Sequence, residues 1–216
     1  AGVIWAGTFT AGLNRYDRAT DSFIRYAHDE ANPRSLASDV IYSIGQDASG
    51  MMWIGTGDHG VDRFHPELVN FKHHLRNPAN PNTLSDNNVA SLCVEGSGAV
   101  WIGTAGGLNK WDRKSGTFTV YKHNPSIASS IADDNVQSIL EDRSGTLWFG
   151  TLTAGLAAWR DDRFALYGAA EGLKDRTVLA ILEDRRGNLW LGTEGGGLAR
   201  FAGGRFESFS LAPGLS

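Results

Sequence analysis

The chain has 216 residues, 41% of them hydrophobic and 20% charged, with a formal net charge of −4. That is a globular balance, long enough for a substantial core and too apolar for disorder. The absence of a lysine/arginine run excludes a nucleic-acid surface, the single cysteine (Cys93) excludes an internal disulfide, and no apolar run approaches the ~20 residues of a membrane span.

The predicted elements repeat along the chain. "IWAGT" (4–8) reads as a short strand, followed by a turn, a strand at "GLNRY" (12–16) and another opened by Phe23. A long linker leads to "IYSIGQD" (41–47), "MWIGT" (52–56), "GVDRF" (60–64) and Phe71. The same series returns as "VASLCVE", "VWIGT", "GLNKW" and Phe118, then as "VQSILED", "LWFGT", "GLAAW" and Phe164. It closes with "VLAILED", "LWLGT", "GLARF" and Phe206. The five tryptophans, Trp5, Trp53, Trp101, Trp148 and Trp190, are spaced by 48, 48, 47 and 42 residues. Four short strands per unit, A to D, at this period predict β-propeller blades, apolar on both faces because each is sandwiched between neighbours. The tryptophan then serves inter-blade packing.

Other columns align with it. An acid stands six residues before the tryptophan (Asp47, Glu95, Asp142, Asp184) and a glycine three residues after the acid (Gly50, Gly98, Gly145, Gly187). Acid-x-x-Gly between apolar runs predicts a tight hairpin turn with glycine at positive φ. The third residue of strand A is small (Ser43, Ser91, Ser138, Ala180), as a crowded innermost strand requires.

The expected fold is therefore all-β: one partial propeller over 1–216, with blades at about 1–27, 39–75, 87–122, 134–168 and 176–210. The chain opens inside strand B of its first unit and ends on "APGLS" (212–216), which mirrors "AEGLKD" (170–175) ahead of the last strand A. Four complete blades plus one lacking its inner strand read as a fragment of a larger propeller; a self-closing five-bladed ring is the alternative.

With A running down, B up, C down and D up, the B–C turns and D–A linkers share one face and the A–B and C–D turns the other. The A–B turns are monotonous; the B–C turns and linkers vary. Variable loops on a rigid scaffold are where binding is expected. The candidates there are Phe9, Asp58, His59, Leu152 and Glu194 from the turns and Asn88, Asn135 and Arg176 at the strand A entries. The plain alternative for each is a solvated loop residue, and for Asn88 and Asn135 a side chain that bonds its own backbone.

Several patterns point to chemistry without carrying it. "GTGDHG" (55–60) matches a dinucleotide fingerprint, but a strand follows where a helix is needed. His73 and His74 project to opposite strand faces and cannot share an ion; His74 stands in the column of Tyr26, Tyr121 and Tyr167 and is expected to pack. Cys93, aligned with Gly45, Leu140 and Leu182, is expected to be a buried thiol. The repeated acids read as hairpin caps, so no catalytic residue, cofactor or metal site is expected.

"VQSILEDRSGTLWFGTLTAGLAAW" (136–159) and "NPNTLSDNNVASL" (80–92) resemble the two-component regulator propeller repeat. The resemblance implies the extracytoplasmic, periplasmic sensor region of a bacterial membrane-anchored receptor, with a histidine kinase or diguanylate cyclase module elsewhere in the parent chain. It implies further blades and output domains of that chain as partners, a homodimer, and a small-molecule or oligosaccharide ligand. The expected function is non-catalytic ligand sensing. The alternatives are a structural or protein-interaction propeller, marked by exposed loop aromatics such as Phe9, and a propeller lyase or glycosidase using Asp58, His59 and Glu194.

Overall fold

The computed structural model describes residues 2–209. The expected blade end at 210 and the "APGLS" segment lie outside the described residues. Among the described residues nineteen strands form five antiparallel sheets, one per sequence unit. The first sheet holds β1 (Trp5–Gly7), β2 (Leu13–Asp17) and β3 (Ser22–Tyr26) in that order, with no inner strand among the described residues. The second runs β4 (Ile41–Gln46), β5 (Met52–Thr56), β6 (Val61–Phe64) and β7 (Lys72–His74). The third runs β8 (Val89–Val94), β9 (Val100–Thr104), β10 (Gly107–Asp112) and β11 (Thr117–Tyr121). The fourth is β12 (Val136–Glu141), β13 (Leu147–Thr151), β14 (Leu156–Arg160) and β15 (Arg163–Tyr167). The fifth is β16 (Val178–Glu183), β17 (Leu189–Thr193), β18 (Leu198–Ala202) and β19 (Arg205–Phe209). The sheets are β-propeller blades. The one helical element among the described residues is a 3-10 turn at Ala169–Glu171.

The chain divides into two compact units, 1–104 with 109–120, and 105–108 with 121–216. In the first, β4 packs on β8, and Trp5 lies edge-on to Phe64 of the next blade at 5.6 Å. Trp53 meets Trp111 in the same way at 4.8 Å, within a core of Val61, Leu84, Val89, Val100, Ile102 and Phe118. In the second, β12 packs on β16 and Trp148 meets Phe201 at 5.5 Å. Each of these tryptophans thus wedges against the strand C aromatic of the following blade.

The acid column has a second task. Asp47 Oδ1 accepts the N–H groups of Ser49 and Met51 inside its hairpin, while Oδ2 accepts Trp53 Nε1–H at 3.2 Å. Glu95, Asp142 and Asp184 hold Trp101, Trp148 and Trp190 at 2.9, 2.7 and 2.9 Å. The hairpin acid therefore orients the wedge. Burial pushes the Asp47 carboxyl up, but the bonds from Ser49, Trp53 and Met51 outweigh it and hold it below the usual range. The hairpin glycines have the positive φ expected of them, 84° at Gly50 and 81° at Gly145.

The small column on strand A faces the glycine of the W-x-G motif. A Cβ on Gly150 would strike Ser138 Oγ and come within 2.7 Å of Val178 Cγ1 and O, from the next blade's inner strand. Gly150→Ala is expected to cost about 1–3 kcal/mol by overpacking, measured as a lower urea midpoint at unchanged m-value.

Each inner strand also carries a bulge near its entry, between Ile41 and Ser43, Val89 and Ser91, Val136 and Ser138, and Val178 and Ala180. The bulged residues are Tyr42, Ala90, Gln137 and Leu179. A bulge re-aims one side chain out of the ladder, and these four differ from one another.

Candidate functional site

The B–C turns are built by a threonine and a glycine four residues apart. Thr56 Oγ1–H donates to Gly60 O at 2.9 Å and its oxygen accepts His59 N–H at 3.0 Å. Thr8, Thr151 and Thr193 do the same with Gly12, Gly155 and Gly197. This is why the pentapeptide ends in threonine: its hydroxyl closes the turn from both sides.

Each turn is then clasped to a linker. In the first unit, Gly12 N–H donates to Asp39 O at 3.0 Å and Gly60 N–H to Asn87 O at 2.8 Å. In the second, Gly155 N–H donates to Arg176 O at 3.0 Å. Side chains add to this. Asp133 Oδ1 accepts Asn135 N–H at 3.0 Å while Oδ2 accepts Thr153 N–H and Oγ1–H at 2.8 and 2.7 Å. Asp175 does the same for Thr177 and for Gly195 and Gly196. In blade 2 the polarity is reversed: the linker offers Ser38 and the turn offers the acid, Asp58. Burial pushes the Asp58 carboxyl up, but hydrogen bonds from His59 and Ser38 prevail and hold it below its ordinary value.

The long linkers repeat one conformation. Asp29, Asn77 and Asn124 N–H each donate to a hydroxyl six residues on, Ser35, Thr83 and Ser130. The linker entering blade 2 is further held by a buried carboxylate. Asp62 is fully buried; its Oδ2 accepts Ala37 N–H at 2.7 Å, and its Oδ1 faces His73 Nδ1 at 2.6 Å. His73 Nε2 lies 3.0 Å from Pro33 O. In blade 3, Asn109 takes the corresponding place and accepts Ser85 N–H at 2.8 Å.

The candidate residues fall on this framework as follows. Phe9 is 69% exposed and meets Tyr42, 44% exposed, edge-on at 5.4 Å. Asp58 and His59 are both exposed and bonded to each other at 2.9 Å. Asn88 N–H is taken by Asp86 Oδ1 at 2.9 Å, and Asn135 Oδ1 accepts from Gln137. The turn-forming side chains are thus Asp86 and Asp133, two residues upstream of the asparagines. Leu152 is half-buried, its N–H given to Asn135 O and its O accepting Thr177 Oγ1–H. Glu194 and Arg176 are exposed. The first unit therefore brings Phe9, Tyr42, Asp58 and His59 to one end, and the second brings Leu152, Arg176 and Glu194 to the corresponding end of its blades. Sequence reasoning missed Tyr42; its signal was a variable residue beside the invariant small column.

His74 stacks on Trp53 with ring centroids 6.0 Å apart, on the strand face opposite His73. β6 follows the "GTGDHG" turn, so the phosphate-cradling helix is replaced by a strand. Cys93 is half-buried rather than buried. Among the described residues no three histidine, cysteine, aspartate or glutamate side chains cluster as metal ligands, and no helix is long and apolar enough to cross a membrane.

The two component regulator propeller family matches at residues 35–58, 130–153 and 172–195. No curated protein matches the chain. Among solved structures, the extracellular domain of a hybrid two component system from B. thetaiotaomicron aligns with a TM-score of 0.80 at 24% identity, over 95% of this chain and 28% of that one. A second such domain from the same organism aligns at 0.65 and 20% identity, over 96% of this chain and 36% of that one. The virginiamycin B lyase of Staphylococcus aureus aligns at 0.73 and 15% identity, over 97% and 67%. The chain spans about a third of the two extracellular domains, and at these identities the likeness is one of fold.

Proposed function

We propose that this chain, which carries two component regulator propeller repeats, is a ligand-sensing segment of the extracytoplasmic part of a bacterial signal-transduction receptor. The observation that carries the reading is the division of labour at the B–C turns. Threonine–glycine closure and linker–turn hydrogen bonds fix the backbone of these turns, while the side chains left outside that framework (Phe9, Tyr42 and His59 in the first unit, Arg176 and Glu194 in the second) differ. On each unit taken by itself, such side chains can be rewritten without touching the fold. The ligand is a glycan or small metabolite. It signals by binding two arrangements of the receptor with different affinity, since equal affinity would shift nothing. The segment itself catalyses nothing; the kinase or cyclase output belongs to the parent chain.

The test is a thermal-shift screen of oligosaccharides and small metabolites against the chain and against Phe9→Ala and Tyr42→Ala. A stabilising compound whose effect disappears in either variant is the expected result. A screen without any shift counts against sensing. The exposed Phe9–Tyr42 pair supports a second reading, a protein-interaction surface. In that case the same variants would lose a protein partner in pull-downs while no small compound binds.

A further inference from the structure

The five tryptophans are not covered alike. Trp53 and Trp101 are fully buried, each under a basic side chain from strand C of its own blade. Arg63 Cζ lies 5.4 Å from the Trp53 ring centroid and Lys110 Nζ 4.9 Å from that of Trp101. In blade 4 the corresponding residue is Ala158, directly opposite Ala165 on β15. Nothing long enough to cover the indole stands at either position, and Trp148 is only half-buried. A cavity of about 490 Å³ opens there, within the size range of small-molecule sites.

Two guanidinium groups at this cavity have no ion-pair partner among the described residues. Arg160 and Arg163 line it and sit directly opposite each other across the β14–β15 hairpin. Like charges in that relation repel. Arg160 Nη2–H donates to Thr146 Oγ1 at 3.2 Å, and neither guanidinium has an acid within ion-pair distance among the described residues, the hairpin-tip Asp161 and Asp162 included. Asp142, also at the rim, is already engaged: Oδ1 accepts from Ser144 and Thr146 and Oδ2 from Trp148 Nε1–H. An open indole face beside two unpaired guanidinium groups calls for a flat apolar ring carrying a planar anion. Guanidinium binds carboxylate bidentately, and an indole stacks an aromatic ring.

We propose that blade 4 binds a compact aromatic carboxylate, its ring against Trp148 and its carboxylate between Arg160 and Arg163. The pocket lies at the A–B and C–D hairpin end of the blade, away from the B–C turns, so it stands or falls independently of the sensing reading above.

Calorimetric titration of the whole chain with benzoate, benzyl alcohol, benzylamine and acetate separates ring from charge, and the indole Nε1–H resonance of Trp148, assigned with Trp148→Phe, reports the location. Benzoate is expected to bind at least tenfold more tightly than any of the other three and to move that resonance. Ala158→Arg, which restores the cover found in blade 2, and Arg163→Gln, at an exposed position, should each weaken benzoate at least tenfold, Arg163→Gln with the thermal midpoint unchanged. Should Arg163→Gln unfold the chain, Arg163→Lys reads the same loss of bidentate contact. The proposal is overturned if benzyl alcohol or benzylamine binds as tightly as benzoate, if Ala158→Arg binds as the parent does, or if the Trp148 resonance stays in place at saturation.

Discussion

Replacing Trp53 with alanine is expected to lower the unfolding free energy by about 3–5 kcal/mol, the cost of deleting a buried indole whose surroundings cannot collapse. Trp53 is fully buried and touches four neighbours from two blades: Trp111 at 4.8 Å, His74 at 6.0 Å, Arg63 at 5.4 Å and Asp47 through Nε1–H. The surrounding strands are pinned by backbone ladders on both sides, so they cannot close over the void. Three buried polar atoms in this interface, Arg63 Nε, His74 Nε2 and Trp111 Nε1, have no hydrogen-bond partner among the described residues. The interface therefore has more to offset than its sisters, and the indole supplies that offset through ring and cation–π contact. Trp53→Phe separates the parts. It keeps ring packing but leaves Asp47 without its Nε1–H donor, and a loss of about 1–2 kcal/mol is expected. Urea titration followed by circular dichroism measures both; a loss below 1 kcal/mol for the alanine variant would mean that the wedge is not structural.

That wedge was visible in the sequence because a packing problem solved five times leaves the same residue at the same spacing. The strands, their order in each blade and the small column opposite Gly55, Gly150 and Gly192 follow from the same repetition. What the repetition hid is what the repeats share only through contact. The acid column reads as a hairpin cap, and it is one, but its second oxygen reaches the indole six residues on. Two recurring columns at constant separation were the available signal. Register was beyond reach, since a bulge adds one residue to a strand without changing its polarity pattern, and so Tyr42 could not be told from a residue facing a neighbour. The blade 4 pocket was written in the column Arg15, Arg63, Lys110, Ala158, Arg200. A missing side chain gains meaning only once the tryptophan beneath it is known. The clasp between Asp58 and Ser38 was illegible for a related reason: donor and acceptor exchange places relative to Asp133 and Asp175, so neither column is constant although the interaction is.

Stability is expected to be greatest in mildly acidic solution and to fall on both sides, because two adjacent histidines titrate in opposite senses. His74 is buried against Trp53 and Phe118, and burial, with the charges of Arg63, Lys72 and His73 adding to it, pushes its imidazole down to about 4. In the unfolded chain it titrates near ~6.5. Between these values the unfolded chain takes up a proton that the folded chain refuses, so stability is lost as pH falls, by about 3 kcal/mol at most when pH 4 is reached. His73 behaves oppositely. Both its ring nitrogens face acceptors, Asp62 Oδ1 and Pro33 O, so the doubly protonated ring satisfies both bonds. The Asp62 hydrogen bond raises its pKa, against an opposing contribution from burial. Its contribution is fully present below ~6.5 and is lost as pH rises through the folded value. Below ~4 the hairpin carboxylates Asp47, Asp142 and Asp184, all held below their ordinary range, add their own loss. His74→Tyr, the residue found at Tyr26, Tyr121 and Tyr167, should flatten the profile between pH 6.5 and 4 while leaving the alkaline limb. His73→Gln should flatten the alkaline limb alone. Urea midpoints measured from pH 4 to 9 for the parent and both variants would separate the two limbs. A parent profile that is level from pH 4 to 6.5 would remove the role assigned to His74, and imidazole titration by NMR would then have to place its pKa near the ordinary value.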